Sequence, residues 1–158
     1  MKKFIFVLIL LLYGSIITLP ADKSKKEEFE LYKNSILSVL EHTGGVSASL
    51  NYFLTKSAFF SSPSCLEIIT IHSEYFGRDT GLVQFLTPPS VFVPMHEQLL
   101  KSYQEIEQSM NSYKKACVTT DSKLKRKYTE EGNIHVKKAE EQILIFSHSF
   151  IAILKESE

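Results

Sequence analysis

Apolar residues recur at steps of three and four positions along most of this chain, which is the spacing of one face of an α-helix. The first stripe predicts a helix of about 20 residues that stops at Gly44-Gly45, because glycine commonly terminates helices. A second stripe predicts a helix that ends at residues 61–63, so the two glycines would join an antiparallel hairpin. The first stripe is Phe29, Tyr32, Ile36, Val39, Leu40 and Thr43, and the second is Val46, Leu50, Phe53, Ser57 and Phe60.

Residues 64–76 allow two interpretations. Ser64 and Glu67 have the Ser-x-x-Glu spacing of a capping box, which predicts a helix that begins there and ends at Gly77. The β-branched run at residues 68–71 is instead typical of a strand. A strand needs a partner, and the chain offers no second convincing one, so we favour the helix and keep the strand as the alternative.

Glycine, aspartate and proline are concentrated in residues 77–94, which predicts a break between helices. The apolar cluster at residues 82–86 lies inside this break. We expect it to pack onto the helices as a covering loop, and a lid over a binding site is the alternative.

Two longer helical stripes follow, and Pro94 is placed to open the first of them. Gly132 and Asn133 mark a possible kink or split in the second. The stripes are Met95, Leu99, Tyr103, Ile106, Met110, Tyr113 and Cys117, then Leu124, Tyr128, Gly132, His135, Ala139, Ile143, Phe146, Phe150 and Ile153. The fold is therefore predicted to be all-α, a single up-and-down antiparallel bundle of four to five helices with a Pro/Gly-rich connection at about 77–94.

The amino terminus has the pattern of a secretory signal. Met1-Lys2-Lys3 precedes an apolar run of about 16 residues, shorter than the roughly 20 needed to span a bilayer, and Pro20-Ala21 offers a cleavage site. We predict that residues 1–21 are a cleaved signal peptide and that residues 22–158 form the exported domain, periplasmic or secreted, with a bacterial type of signal. The alternative is an uncleaved anchor, which would be the protein's one contact with a membrane.

Cleavage would remove Lys2 and Lys3 and no acidic residue, so the net charge would fall from zero to about −2. A nucleic-acid-binding domain usually carries a large basic surplus, so we expect no nucleic-acid partner. The remaining chain of about 137 residues suits a single domain with its own core.

Cys65 and Cys117 are the only cysteines, and both lie in the exported part. An even pair in an oxidising compartment predicts a structural disulfide. Closing a loop of this size stabilises a fold by roughly 4 kcal/mol on the chain-entropy model. Neither a C-x-x-C redox pair nor a haem-attachment motif is present.

The histidines are the residues that most invite a mechanism, yet none is arranged for one. His96-Glu97 lacks the second histidine of a zinc-protease motif, and no two histidines lie three or four positions apart on one helix. His135 and His148 lie about 20 Å apart along a helix axis, too far to share an ion. We therefore predict no catalytic residue, no metal ligand and no cofactor.

These patterns favour an exported, non-enzymatic protein with an interaction or structural role at the cell envelope, for which a protein partner is possible but unidentified. The alternative is a carrier that binds a small ligand or haem inside the bundle. A haem would need an axial pair drawn from Met95 or Met110 and His135 or His148. The walls of the carrier site would be Tyr103, Tyr113, Phe146 and Phe150.

Overall fold

The structure, a computed structural model, describes residues 23–56 and 58–156. Within these residues each helix packs against the next in sequence, which makes an up-and-down bundle without a strand and confirms the all-α prediction. The predicted signal segment, residues 1–21, lies outside the described residues. The four helices are α1 (Lys23–Leu54), α2 (Cys65–Phe85), α3 (Val93–Val118) and α4 (Ser122–Glu156).

Helix α1 runs without interruption through Gly44 and Gly45, so the predicted hairpin at these glycines is wrong. The buried residues of α1 continue at steps of three and four across the glycines, from Leu40 and Thr43 to Val46 and Leu50. Each glycine costs a helix interior roughly 1 kcal/mol, which burial of the continuous apolar face offsets.

Residues 65–76 are helical, but the capping box predicted at Ser64 and Glu67 does not form. The Ser64 side chain makes no capping hydrogen bond, although Glu67 does lie in the first turn of α2. The helix also continues past Gly77 and Gly81 to Phe85, so the connection to α3 is shorter than the predicted 77–94.

The apolar cluster at residues 82–86 is therefore the end of a helix and not a covering loop. Val83 is fully buried, as expected for packing onto the bundle. Leu82 and Phe85 lie on the other face, with 55% and 91% of their surfaces exposed.

Helices α3 and α4 make the most extensive contact in the described part of the chain. Pro94 lies in the first turn of α3, as predicted, and the α3 stripe from Met95 to Tyr113 is buried. Helix α4 is a single element that is not split at Gly132 and Asn133. The Gly132 position faces the ring of Tyr113 so closely that a Cβ atom there would lie 2.3 Å from it. Glycine thus permits the close approach of the two helices.

Cys65 and Cys117 form the predicted disulfide, with their Cα atoms 5.5 Å apart. It joins the first residue of α2 to the last turn of α3. The bond therefore holds one end of the α2–α3 interface.

Aromatic side chains close the opposite end of the bundle around Phe92, which is fully buried. Its ring centroid lies 5.1 Å from that of Phe29, 5.0 Å from that of Tyr32 and 5.2 Å from that of Phe150. Since Phe29 and Tyr32 belong to α1 and Phe150 to α4, Phe92 links these two helices at this end.

Candidate functional site

Residues of α1 and α4 form the two walls of a cleft of about 250 Å³. Residues of α2 and α3 form its floor. Most of its lining is apolar, while Glu140 lies on its exposed edge. The lining residues are Thr43, Gly44, Ser47, Ala48, Leu50, Asn51, Leu54, Phe76, Ile106, Ser109, Met110, Val136, Ala139, Glu140 and Ile143.

Small side chains on the two facing helices create this space. Thr43, Gly44, Ser47 and Ala48 occupy two adjacent turns of α1, and Ala139 faces the cleft from α4. Phenylalanine and tyrosine link the same two helices through Phe92, where the bundle is closed. Large aromatic side chains thus fill the space between α1 and α4 at the Phe92 end, whereas several of the residues that line the cleft are small.

A polar network centred on the buried Asp79 is connected to the α1 wall of the cleft through Thr43, and it reaches the surface at the exposed His42. The carboxylate of Asp79, only 2% exposed, accepts a hydrogen bond from Thr43 Oγ1 at 2.6 Å and contacts His42 Nδ1 at 2.7 Å. Because the Thr43 proton goes to Asp79, the Tyr103 hydroxyl donates to Thr43 Oγ1, also at 2.6 Å. Asp79 thereby ties α1, α2 and α3 together.

The protonation of Tyr103 fixes which groups of this network donate hydrogen bonds. Burial raises the pKa of Tyr103 well above its ordinary value; the hydrogen bond with Thr43 opposes that rise and the charge of Asp79 adds to it. The phenol therefore stays protonated and remains a donor. The threonine hydroxyl is bonded to a carboxylate and not to the imidazole, which differs from the nucleophile–base–acid order of a hydrolytic triad.

Ser109, on the α3 floor, is a fully buried polar residue of the cleft lining. Burial raises the pKa of the Tyr113 phenol one turn away, and a hydrogen bond with the Ser109 side chain opposes that rise. Tyr113 donates its own proton to Asn133 Oδ1 at 2.7 Å, so its hydroxyl oxygen is the acceptor toward Ser109.

The structure does not assemble the haem ligands that the sequence suggested. Met110 lines the cleft, but neither His135 nor His148 does. His135 contacts Glu105 Oε2 through Nδ1 at 2.6 Å, and His148 is exposed. A Met/His axial pair is therefore not brought together around this cleft.

The predicted wall residues also lie elsewhere. Tyr103, Tyr113, Phe146 and Phe150 are fully buried in the core, and none of them lines the cleft. The aromatic stripes thus fill the bundle interior, and smaller residues leave the space.

Two residues of the network, His42 and Asp79, were missed by the sequence reasoning, although the sequence carries a signal for one of them. Asp79 follows Ile69, His72 and Phe76 at steps of three and four on the buried face of α2. An acidic residue on an apolar stripe is costly unless it is paired, so its position alone indicates a buried network.

Among residues 23–56 and 58–156, no group of three or more histidine, cysteine, aspartate or glutamate side chains is placed to hold a metal ion. None of the helices formed by these residues is long and apolar enough to cross a bilayer. Comparisons with protein-family models, with curated proteins and with solved structures gave no match to this chain.

Proposed function

We propose that this protein is an exported, non-enzymatic carrier that binds a small and largely apolar ligand in the cleft between α1 and α4. The cleft itself is the observation that carries this proposal. Its volume of about 250 Å³ is close to the lower end of the range for small-molecule sites, and mostly apolar walls with a few polar atoms are typical of them.

Binding in such a cleft has a plain physical basis. Each methylene group removed from water contributes about 0.8 kcal/mol, so a ligand with six such groups gains about 5 kcal/mol before its other contacts are counted. Part of that gain is offset by the translational and rotational freedom that the ligand loses on binding, so we expect a small apolar ligand to bind weakly.

Export is the part of the proposal that depends on the sequence. The basic start and short apolar run of residues 1–21 have the pattern of a signal peptide. The Cys65–Cys117 disulfide supports the same assignment, because disulfides persist mainly in oxidising compartments.

Native intact-mass spectrometry of the protein recovered from its own cells tests the carrier function. We expect the mass of residues 22–158 with one disulfide, plus a ligand mass that is lost on denaturation. The Ala48→Phe variant should lose that extra mass, because Ala48 is an exposed residue on the cleft wall where a phenyl ring would cover the opening. Ser38→Phe adds the same ring at an exposed α1 position outside the cleft and should retain the ligand. An extra mass that survives Ala48→Phe would contradict binding in the cleft.

A second candidate function is the interaction or structural role at the cell envelope. One observation favours it: Leu82, Phe85 and Val91 expose about half or more of their surfaces around the end of α2 and the connection that follows. Chemical cross-linking in intact cells should then capture a partner with the wild-type protein and fail with Phe85→Ser. Equal capture by both proteins would argue against this surface.

A further inference from the structure

The cleft has an apolar floor and a polar mouth. Ile106 and Met110 on the floor are buried. Ser47 and Asn51, one turn apart on α1, line the same cleft but are partly exposed, and Glu140 on α4 is exposed. A polar group of a ligand would therefore lie at the mouth, where it keeps contact with water and its burial costs little.

Glu140 differs from its acidic neighbours on α4. Three other glutamates of this helix pair with a basic residue four positions earlier, and the pairs are Arg126–Glu130, Lys127–Glu131 and Lys137–Glu141. Four positions before Glu140 stands Val136, an apolar residue of the cleft lining. Within the described ranges Glu140 forms no ion pair, so its carboxylate is available to a ligand.

A second observation places this carboxylate near the bundle interior. Burial raises the pKa of Tyr113, a hydrogen bond with the Ser109 side chain opposes that rise, and the charge of Glu140 adds to it. Because Tyr113 is buried on α3, the Glu140 carboxylate lies within electrostatic reach of the core, although the residue as a whole is exposed.

The negative charge of Glu140 is not balanced within the cleft. In the described part of the chain, no lysine, arginine or histidine is among the lining residues. The Asp79 carboxylate behind Thr43 already contacts His42, so it has a partner of its own. A cation at the mouth is therefore attracted and an anion is repelled.

We propose that the cleft selects small amphiphilic cations, in which a primary ammonium group is attached to an apolar body such as a benzyl group. The apolar body lies on the floor. The ammonium group has three donors, which reach Glu140 on one side of the mouth and Ser47 or Asn51 on the other. This inference rests on the proposed function, because it requires that the cleft bind a ligand at all.

Three probes of nearly the same shape separate charge from size: benzylamine, benzyl alcohol and benzoate. At pH 7.5 benzylamine is a cation, as the lysine side chain is, and benzoate is an anion. An NMR chemical-shift titration of the purified protein at low salt should show benzylamine binding about fivefold more tightly than benzyl alcohol, and benzoate at least about threefold more weakly. The fivefold advantage corresponds to about 1 kcal/mol, the upper end of what an exposed ion pair contributes.

Two glutamine variants assign the effect to its residue. Glu140→Gln should abolish the advantage of benzylamine over benzyl alcohol. Glu141→Gln removes the same charge at the next position, which does not line the cleft, and should retain most of the advantage. High salt should weaken the advantage in the wild type, because it screens exposed charges. The readout is the ratio of the two affinities within each variant, so a change in overall stability does not imitate the effect.

A substitution on α1 tests where the polar group lies. Asn51→Ala should weaken the binding of benzylamine and of benzyl alcohol about twofold to threefold and leave toluene binding nearly unchanged, because toluene makes no hydrogen bond there. Asn34→Ala, at an exposed α1 position outside the cleft, should change none of the three affinities. An equal effect of Asn51→Ala on toluene would show that the polar group does not contact α1 at the mouth.

The outcomes separate this inference from the proposed function. Equal affinity for benzylamine and benzyl alcohol, with no effect of Glu140→Gln, would overturn the selectivity for cations and leave the carrier function standing. Tighter binding of benzoate than of benzylamine would overturn the charge argument. If none of the probes bound, or if Ala48→Phe bound all of them as well as the wild type, both the inference and the proposed site would fail.

Discussion

The bundle consists of two helical hairpins, α1–α2 and α3–α4, and the two interfaces between them differ sharply. At the α2–α3 interface a disulfide joins Cys65 to Cys117, and Lys114 Nζ donates to Ser73 Oγ at 3.0 Å. Between α1 and α4, Phe92 contacts both helices at one end, and the cleft lies farther along. The two interfaces are therefore held differently: one is covalently linked, and the other contains a cleft lined in part by small side chains.

The largest expected effect concerns the linked interface. The double variant Cys65→Ser/Cys117→Ser should lose roughly 4 kcal/mol of unfolding free energy, because the bond closes a loop across 52 positions. The melting temperature should fall by about 10 °C, and reducing agent should have no further effect on the variant. Wild-type protein whose melting temperature does not respond to reductant would show that the bond contributes little.

The second comparison is between two histidine–carboxylate pairs of similar geometry. The two pairs differ in the burial of the carboxylate: Asp79 is buried beside a half-exposed His42, whereas the side chains of Glu105 and His135 are both about a quarter exposed at the α3–α4 interface. Asp79→Ala should cost about 2 kcal/mol, because it deprives Thr43 of its acceptor in the interior. Glu105→Ala should cost less than about 1 kcal/mol, as partly exposed ion pairs usually do. Urea denaturation measures both, and equal losses would contradict the role given to burial.

Two glycines provide the third comparison. Gly132→Ala should destabilise the protein by about 1–2 kcal/mol, since the new methyl group would overlap the buried ring of Tyr113 and that strain outweighs the helix-forming gain of alanine. Gly77→Ala meets no atom within 4 Å and should stabilise by about 0.5–1 kcal/mol. The two shifts in urea midpoint should therefore have opposite signs. A stabilising Gly132→Ala would mean that α3 and α4 do not approach closely there.

The smallest expected effect is a pH dependence of the unfolding free energy that arises from His96, which contacts Tyr32 between α3 and α1 at the Phe92 end of the bundle. Burial lowers the pKa of His96, and the nearby Glu97 opposes that change. The folded protein thus binds fewer protons than the unfolded chain when the pH falls below the unfolded histidine pKa of about 6.5. The contribution of His96 to stability is then complete above that pH and is lost as the pH falls through the lowered folded pKa.

His96→Gln should reduce the loss of stability between pH 7.5 and pH 5, measured by urea denaturation at each pH. The Tyr32 hydroxyl lies 3.0 Å from His96 Nδ1, and protonation of that nitrogen removes its acceptor role. His148→Gln is the control, because His148 is exposed. An identical pH dependence in wild type and His96→Gln would contradict the assignment.

The sequence predicted the α3 helix well because large apolar side chains, from Met95 to Tyr113, mark its buried face at every turn. It failed at Gly44 and Gly45 because local propensity favours a stop there, while the apolar stripe on both sides favours continuation. The stripe prevailed because residues 39–50 pack against the rest of the core. The three-to-four spacing across the two glycines was the decisive signal.

The cleft could not be predicted from the sequence, for a different reason. It depends on which turns of α1 and α4 face each other, and residues such as Ala48 and Ala139 lie about 90 positions apart in the chain. Small residues on one helix predict either close packing or a cavity, according to what faces them. Gly132 is the first case, because Tyr113 fills its space, and Gly44 is the second.

The measurement that tests the central claim most directly is the location of a bound probe by NMR. With toluene present as a small apolar probe, we expect intermolecular nuclear Overhauser effects from its ring and methyl protons to the methyl groups of Ala48, Val136 and Ala139, all of which line the cleft. Contacts confined to Leu82, Val91 and Val93 would place the probe on the exposed apolar residues around the α2–α3 connection. That result, or no contact at all, would contradict a ligand site between α1 and α4.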